Sequence, residues 1–246
     1  MWKIADFSKE RRSFLEFKEL HEWPESKIDA LEIQREMADR VEIFSNVDDI
    51  KSIAAVDTAY GQNSETIYVA TVVVTFPEIE VIEKTFQYDK VKFPYIPGLF
   101  YFREGSAIIK ALTKIQSEPD MLIIHGHGIT HPRHCGMASQ IGIGFDKPTI
   151  GCARKLLVGY YQQLPLSKGS CQPIVMNAKK VGYAYRSKDK IKPIFVSPGH
   201  LCTIDEAKDI TVKCLRGYRF PEPLRLAHLF ANKYKRHMEK KVSFNK

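Results

Sequence analysis

The sequence predicts an α/β protein whose mixed sheet, part antiparallel meander and part parallel, is flanked by helices. Three observations predict it. Strand-like runs at 51–60, 66–76 and 79–88 follow one another with short links. Two short apolar runs, 121–125 and 149–153, are each reached through a stretch of helical spacing. Amphipathic, charged stretches lie towards both ends of the chain. One domain over 1–246 holds these elements, with 1–45 as a helical extension packed on it and 223–246 as a C-terminal helix with a basic tail.

Taken in order, Pro24 can open a helix, and Ile28, Leu31, Ile33, Met37 and Val41 then recur at roughly helical spacing, which predicts a helix over 25–42. The run KSIAAVDTAY is apolar up to Val56 and places Asp57 at its end. TIYVATVVVTF is rich in β-branched residues, and the FPE link to IEVIEKTFQY suits a hairpin. Pro94, Pro97 and Gly98 exclude a regular element in VKFPYIPG, so a loop of aromatics and prolines leads into a helix from about Leu99 to Gln116. The strand at 121–125 returns by that helical crossover and is therefore parallel to its neighbour. A helix crowded with small residues follows over 134–145, then a strand at 149–153. Beyond Gly159 the pattern predicts an irregular insert with short edge strands, then a strand pair in VGYAYRS and KPIFVS, and a turn at Ser197–His200. Thr203 and Glu206 have the spacing of a capping box for a helix over 203–216. A last helix over 223–240 ends in a basic tail expected to fray.

Composition narrows the class. Of 246 residues 44% are hydrophobic, enough for a sizeable core. Lys and Arg number 37 against 29 Asp and Glu, a net charge of +8 that favours a polyanionic partner, nucleic acid first. Cys135, Cys152, Cys171, Cys202 and Cys214 form no CxxC pair, which speaks for a reduced compartment and against structural zinc. The start is charged and lacks an apolar signal core. The expectation is a soluble, cytoplasmic monomer with no membrane segment.

Chemistry-bearing residues gather at strand ends, where open α/β sheets place their sites. Asp57 and His125 each close an apolar run, and Glu104 opens a helix after the proline loop. If the first and fourth strands are neighbours, Asp57 and His125 face each other and can hold a divalent cation. The ordinary reading of each alone is a surface charge or a helix cap. His131, Arg133 and His134 suit phosphate, as does Arg154 at the next strand end; a plain polar loop is the competing account. Pro94, Tyr95 and Ile96 form either a cap on the core or a rigid wedge between stacked bases. His228 matters only if its helix crosses the strand ends.

The blocks VDTAY, FPYIPGLFYFRE, HGHGITHPRHCGMASQIG, KPTIGCARKLLVG, VSPGH and YRFPEPLRLAH together resemble the successive motifs of the endonuclease V family of deoxyinosine-specific repair nucleases. The resemblance implies a ribonuclease H-like fold and Mg²⁺-dependent hydrolysis of the second phosphodiester bond 3′ to deoxyinosine, leaving 3′-hydroxyl and 5′-phosphate ends. It implies metal ligands at Asp57, Glu104 and position 125, catalytic roles for Asp57, Glu104 and His228, and a wedge at Tyr95 flanked by Pro94 and Ile96. His131, Arg133 and Arg154 would then hold DNA. The inosine pocket would be lined by Gly126, His127, Gly128 and Ile129 with Ala138 and Gly142.

The chain departs from that family in reading HGHG where DGHG is usual, so His125 stands in place of a metal-binding aspartate. Gln140 replaces a usual histidine, and Arg154 a usual lysine. Mg²⁺ prefers charged oxygen ligands, whereas imidazole suits Mn²⁺ somewhat better. The expectation is weak Mg²⁺ activity partly restored by Mn²⁺. Two other readings stay open: a lesion-binding module without cleavage, and a nuclease acting on inosine-containing RNA or on flap DNA.

Overall fold

The computed structural model describes residues 15–47 and 49–244. Five helices and eight strands follow in the order α1 (Lys27–Ala38), β1 (Ser52–Tyr60), β2 (Thr66–Thr75), β3 (Val81–Lys90), α2 (Phe100–Leu112), β4 (Met121–His125), α3 (Met137–Phe145), β5 (Thr149–Ala153), β6 (Cys171–Met176), β7 (Lys179–Tyr185), β8 (Ile194–His200), α4 (Ile204–Lys213) and α5 (Glu222–Phe244). All strands join one sheet in the order β3-β2-β1-β4-β5-β8-β7-β6. The meander β1–β2–β3 is antiparallel, β1–β4–β5 run parallel, and β8, β7 and β6 return antiparallel.

Strand parity sorts the core into two layers. Ala54, Val56, Leu122 and Ile124 pack with α2 and α3 on one face. Ile53, Ala55, Met121 and Ile123 pack with α4 and α5 on the other. Because side chains alternate along a strand, Asp57 and His125 belong to the α5 face, while Thr58 and Tyr60 belong to the α2 face. This parity decides which groups meet at the site.

α1 starts at Ser26, whose hydroxyl accepts from the Asp29 N–H. It buries Ala30, Gln34 and Met37, one turn apart, towards α3. α2 presents the stripe Tyr101, Glu104, Ile108 and Ala111, so a carboxylate sits where a core residue would stand. The expected capping box of α4 is present: Thr203 accepts from the Glu206 N–H while Glu206 accepts from the Thr203 N–H.

Several boundaries differ from the sequence reading. β1 itself keeps the expected run to Tyr60, because β2 pairs with it along its whole length while β4 is registered with it only up to Val56. Ser197–His200 is no turn but the end of β8, where Ser197 and Pro198 pair with β5. Cys171–Met176, in the insert where short edge strands are expected, is the edge strand β6 and forms a hairpin with β7; Asn177 and Ala178 at its tip both have positive φ (51° and 60°), the geometry of a two-residue hairpin turn. α3 begins three residues later than expected, after a loop in which His134 has φ 51°. α5 is helical to Phe244, four residues past the expected end at 240.

Candidate active site

Asp57 is 5% exposed and is shared by two imidazoles. His125 Nδ1 lies 2.7 Å from Oδ1, and His228 Nδ1 lies 2.8 Å from Oδ2. The Thr58 N–H donates to Oδ1 as well, at 2.8 Å. His228 arrives from α5, which crosses β1 and β2 on the face that parity gives to Asp57 and His125. Burial alone would raise the Asp57 carboxyl, but hydrogen bonds from His125 and His228, together with the charge of His125, hold it well below the usual carboxylate range.

Glu104 approaches from the other side of β1. Its Oε1 accepts from the Tyr60 hydroxyl at 2.7 Å and its Oε2 from the Thr58 hydroxyl at 3.1 Å. Burial pushes its pKa up, partly countered by those two bonds and raised further by the charge of Asp57. Arg103, whose Nε donates to the same Tyr60 hydroxyl at 3.1 Å, places a cation behind the pair. The three residues expected around a metal are thus brought together in part. Asp57 and His125 share a cavity, and Glu104 does not line it.

The cavity measures about 200 Å³ and is rimmed by Arg154, Arg219 and Arg225 with Tyr218 and Phe220. Phe220 stands edge-on to the His125 ring at 5.5 Å, and the Arg154 and Arg219 guanidiniums each lie 5.5 Å from its centroid. Arg154 Nη2 is 3.5 Å from His228 Nδ1, so the cation reaches the His228 edge of the cavity. Arg219 is fixed by the carbonyls of Lys192, Pro193 and Arg154. Sequence reasoning had singled out none of Tyr218, Arg219, Phe220 or Arg225. Their signal was the alternation of arginines and aromatics in GYRFPEPLR.

Other expected residues lie elsewhere. His131, expected at phosphate, is 3% exposed, and its Nε2–H donates to the Gly98 carbonyl at 2.9 Å. Burial first, then the charge of Arg133, pushes its pKa down to about 3. Arg133 turns inward too, with Nη2 on the same carbonyl at 3.1 Å and Nε on Gln34 Oε1. Both side chains are committed to the loop that carries Tyr95. That loop presents Pro94 and Tyr95 to solvent, Tyr95 being 62% exposed and stacked edge-on against Phe100 at 5.0 Å, with Ile96 half-buried.

The segments expected to line a base pocket approach their neighbours closely. A Cβ on Gly128 would fall 1.9 Å from the Pro198 carbonyl oxygen, and one on Gly142 would fall 2.7 Å from His200 Cβ and from Thr149 Oγ1. Ala138 is fully buried and touches Gly199, and Ile129 is 8% exposed. Gly142 and Ala138 thus allow α3 to pack closely on β8. Gly126 is different, since a Cβ there would meet only Met137 Cβ at 3.6 Å. His127 accompanies it, with Nε2 on the Lys155 carbonyl at 3.0 Å and a buried Nδ1 that has no partner among the described residues. Gln140 is buried within α3, its amide nitrogen on the Cys135 and Gly136 carbonyls.

The family model for Endonuclease V matches residues 35–229. Endonuclease V of Nostoc punctiforme is 38% identical over 213 residues, covering 86% of this chain and 96% of that protein. The crystal structure of the Endonuclease V from Bacillus subtilis superposes with a TM-score of 0.86 at 29% identity, covering 92% of this chain and 99% of the other. An Endonuclease V of Ciona intestinalis, in complex with a 23mer DNA containing an inosine followed by a ribo-adenosine, has a TM-score of 0.76 at 26% identity, covering 86% and 97%. The mixed sheet with helices on both faces is of the ribonuclease H-like class. The chain belongs to the endonuclease V family and is an endonuclease. That family is one of generally metal-dependent nucleases.

The donor set bears on which cation would suit. Mg²⁺ prefers several hard oxygen ligands. Here the cavity is lined by one carboxylate, Asp57, and two imidazoles. Among the described residues no group of three His, Cys, Asp or Glu side chains stands ready as a metal cage. The set fits Mg²⁺ poorly and a cation more tolerant of nitrogen, such as Mn²⁺, better.

Proposed function

We propose that this endonuclease hydrolyses DNA at deoxyinosine, at the second phosphodiester bond on the 3′ side, leaving 3′-hydroxyl and 5′-phosphate ends. The observation that carries the reading is the buried Asp57 carboxylate shared by His125 and His228 in a cavity rimmed by arginines. Membership of the endonuclease V family and the inosine-containing DNA bound by the Ciona relative support it.

The residues divide the work. A scissile phosphate carries negative charge, and Arg154 and Arg219 at the rim offer donors to its oxygens. Asp57 accepts an N–H from each imidazole at Nδ1, which fixes the tautomer whose Nε2 keeps its lone pair. His228, 41% exposed at the side chain, then takes a proton from the attacking water at Nε2 or passes one to the leaving 3′-oxygen. A divalent cation held by Asp57 and His125, with Glu104 adding negative charge from across β1, would supply Lewis-acid stabilisation of the phosphate. Tyr95 and its neighbours Pro94 and Ile96 act as the wedge beside the extruded base, and Gly126 with His127 stands at the opening that receives it. A second reading, cleavage beside inosine in RNA, is favoured by one observation, the ribonucleotide that follows inosine in the Ciona complex.

The test is nicking of end-labelled duplexes that carry inosine in DNA, inosine followed by one ribonucleotide, or inosine in RNA, with an undamaged duplex alongside. Cleavage of the DNA-inosine strand one nucleotide beyond the lesion's own 3′ bond is expected. Tyr95→Ala should cut it sharply while leaving thermal stability within about 0.5 kcal/mol, as for an exposed side chain. Equal cutting of damaged and undamaged duplexes would overturn the reading, and cutting of RNA alone would select the second one.

A further inference from the structure

The match to the family ends at residue 229, yet α5 continues as helix to Phe244. The stretch beyond it is strongly basic: Lys233, Lys235, Arg236, His237, Lys240 and Lys241 stand against one acid, Glu239. Glu239 is occupied at the Gln62 N–H. Among the described residues no ion pair engages Lys233, Lys235, Arg236, Lys240 or Lys241.

Helical geometry aligns part of this charge with the active cavity. His228, Asn232, Arg236 and Lys240 recur at intervals of four, which places them along one row of the helix surface. The row starts at the site, where Asn232 Nδ2 lies 3.4 Å from His228 Nε2. It extends outward for about 18 Å at 1.5 Å per residue. Arg236, Lys240 and the adjoining Lys233 are exposed along it. The adjoining side of the helix is anchored. Leu224, Ala227 and Ala231 are buried, and Tyr234 packs on Phe86 at 5.2 Å and on Tyr68 at 5.9 Å. The row winds about 40° round the helix at each step, so Arg236 and Lys240 lead away from the cavity along the exposed face, and the packed helix holds these cations in place.

We infer that the C-terminal half of α5 is a track for the phosphate backbone of the nucleic acid flanking the cleavage site, with Lys233, Arg236 and Lys240 as its contacts. The charge is complementary, and the length of the row matches about five nucleotide steps at 3.4 Å each along one strand. The inference rests on the proposed nucleic-acid substrate and adds a footprint outside the cavity. Backbone contacts carry no sequence information, so the track should bind damaged and undamaged duplex alike.

The experiment is equilibrium binding without divalent metal, using a DNA duplex with or without inosine over a range of salt concentrations. The variant Lys233→Gln/Arg236→Gln/Lys240→Gln is compared with wild type and with Lys168→Gln/Lys188→Gln/Lys190→Gln. The latter three lysines are exposed near the opposite, β6 end of the sheet. The α5 variant should lower the slope of log K against log salt by about 2–3, near 0.9 per lost phosphate contact, and weaken both duplexes by the same factor. The control variant should leave the slope unchanged. An unaltered slope in the α5 variant, an equal change in the control, or a loss confined to the inosine duplex would overturn the inference. If wild type shows no preference for inosine but the α5 slope still falls, the substrate reading fails and the track stands.

Discussion

Gln34 donates its side-chain amide to the carbonyl of Gly98, 64 residues along the chain, at 3.1 Å. The same carbonyl receives His131 Nε2 and Arg133 Nη2, so three donors from two segments close on one loop oxygen. Gly98 has φ 80°, a conformation that favours glycine, and it ends the loop that carries Tyr95. Gln34 is 1% exposed and also holds the Cys135 carbonyl at 2.8 Å. The N-terminal helix therefore braces the proposed wedge.

Gln34→Leu should destabilise the fold by about 1–3 kcal/mol, because it leaves the Arg133 Nε without its partner and the Cys135 carbonyl with only the longer 3.4 Å bond from Gln140. The looser loop should raise KM for inosine duplex more than it lowers kcat. Thermal unfolding and steady-state nicking measure the two effects. Equal losses in kcat and kcat/KM with KM unchanged would place Gln34 in the chemistry instead.

His125→Asp restores a second carboxylate beside Asp57. It should raise the Mg²⁺-supported nicking rate about a hundredfold, some 3 kcal/mol at 1.4 kcal/mol per tenfold, and erase the advantage of Mn²⁺ expected of wild type. The assay is nicking with each metal in turn. A wild type already at full rate with Mg²⁺ would refute the assignment of His125 as the weak ligand.

His131 and His127 are both held neutral in the fold. Burial leads in each case and pushes their pKa values down to about 3 and about 4 from 6.5. The unfolded chain therefore binds more protons than the folded one below pH 6.5. Stability from these groups is complete above pH 6.5 and is lost as pH falls towards 4 and 3, by about 1.4 kcal/mol per pH unit for each. Urea unfolding at pH 7 and pH 4.5 should show that fall, and His131→Asn should flatten it. An unchanged slope in the variant would show that His131 does not carry this loss.

Much of this protein was written locally. The β-branched run of β2, the capping box of α4, the strand-ending His125 and the order of the motif blocks depend on neighbours within a few residues, so the mixed sheet and the family were readable from the chain alone. Even so, local patterns misled where pairing or packing had the last word. Ser197–His200 resembles a turn because it contains proline and glycine, yet β5 recruits it as strand. His131 and Arg133 have the residue types of a phosphate site, yet their loop folds back on Gly98 and spends them there.

The face each side chain takes was decided by tertiary structure. Asp57 and Thr58 are neighbours in sequence, but strand alternation sends one to His125 and His228 under α5 and the other to Glu104 on α2. The union of Asp57 with His228, 171 residues apart, needs the parallel pairing of β1 with β4 and the crossing of α5 over β1. Sequence fixes which groups are available because chemistry is local to a residue; their meeting depends on register, parity and helix crossing, which are set only when the whole sheet closes its core.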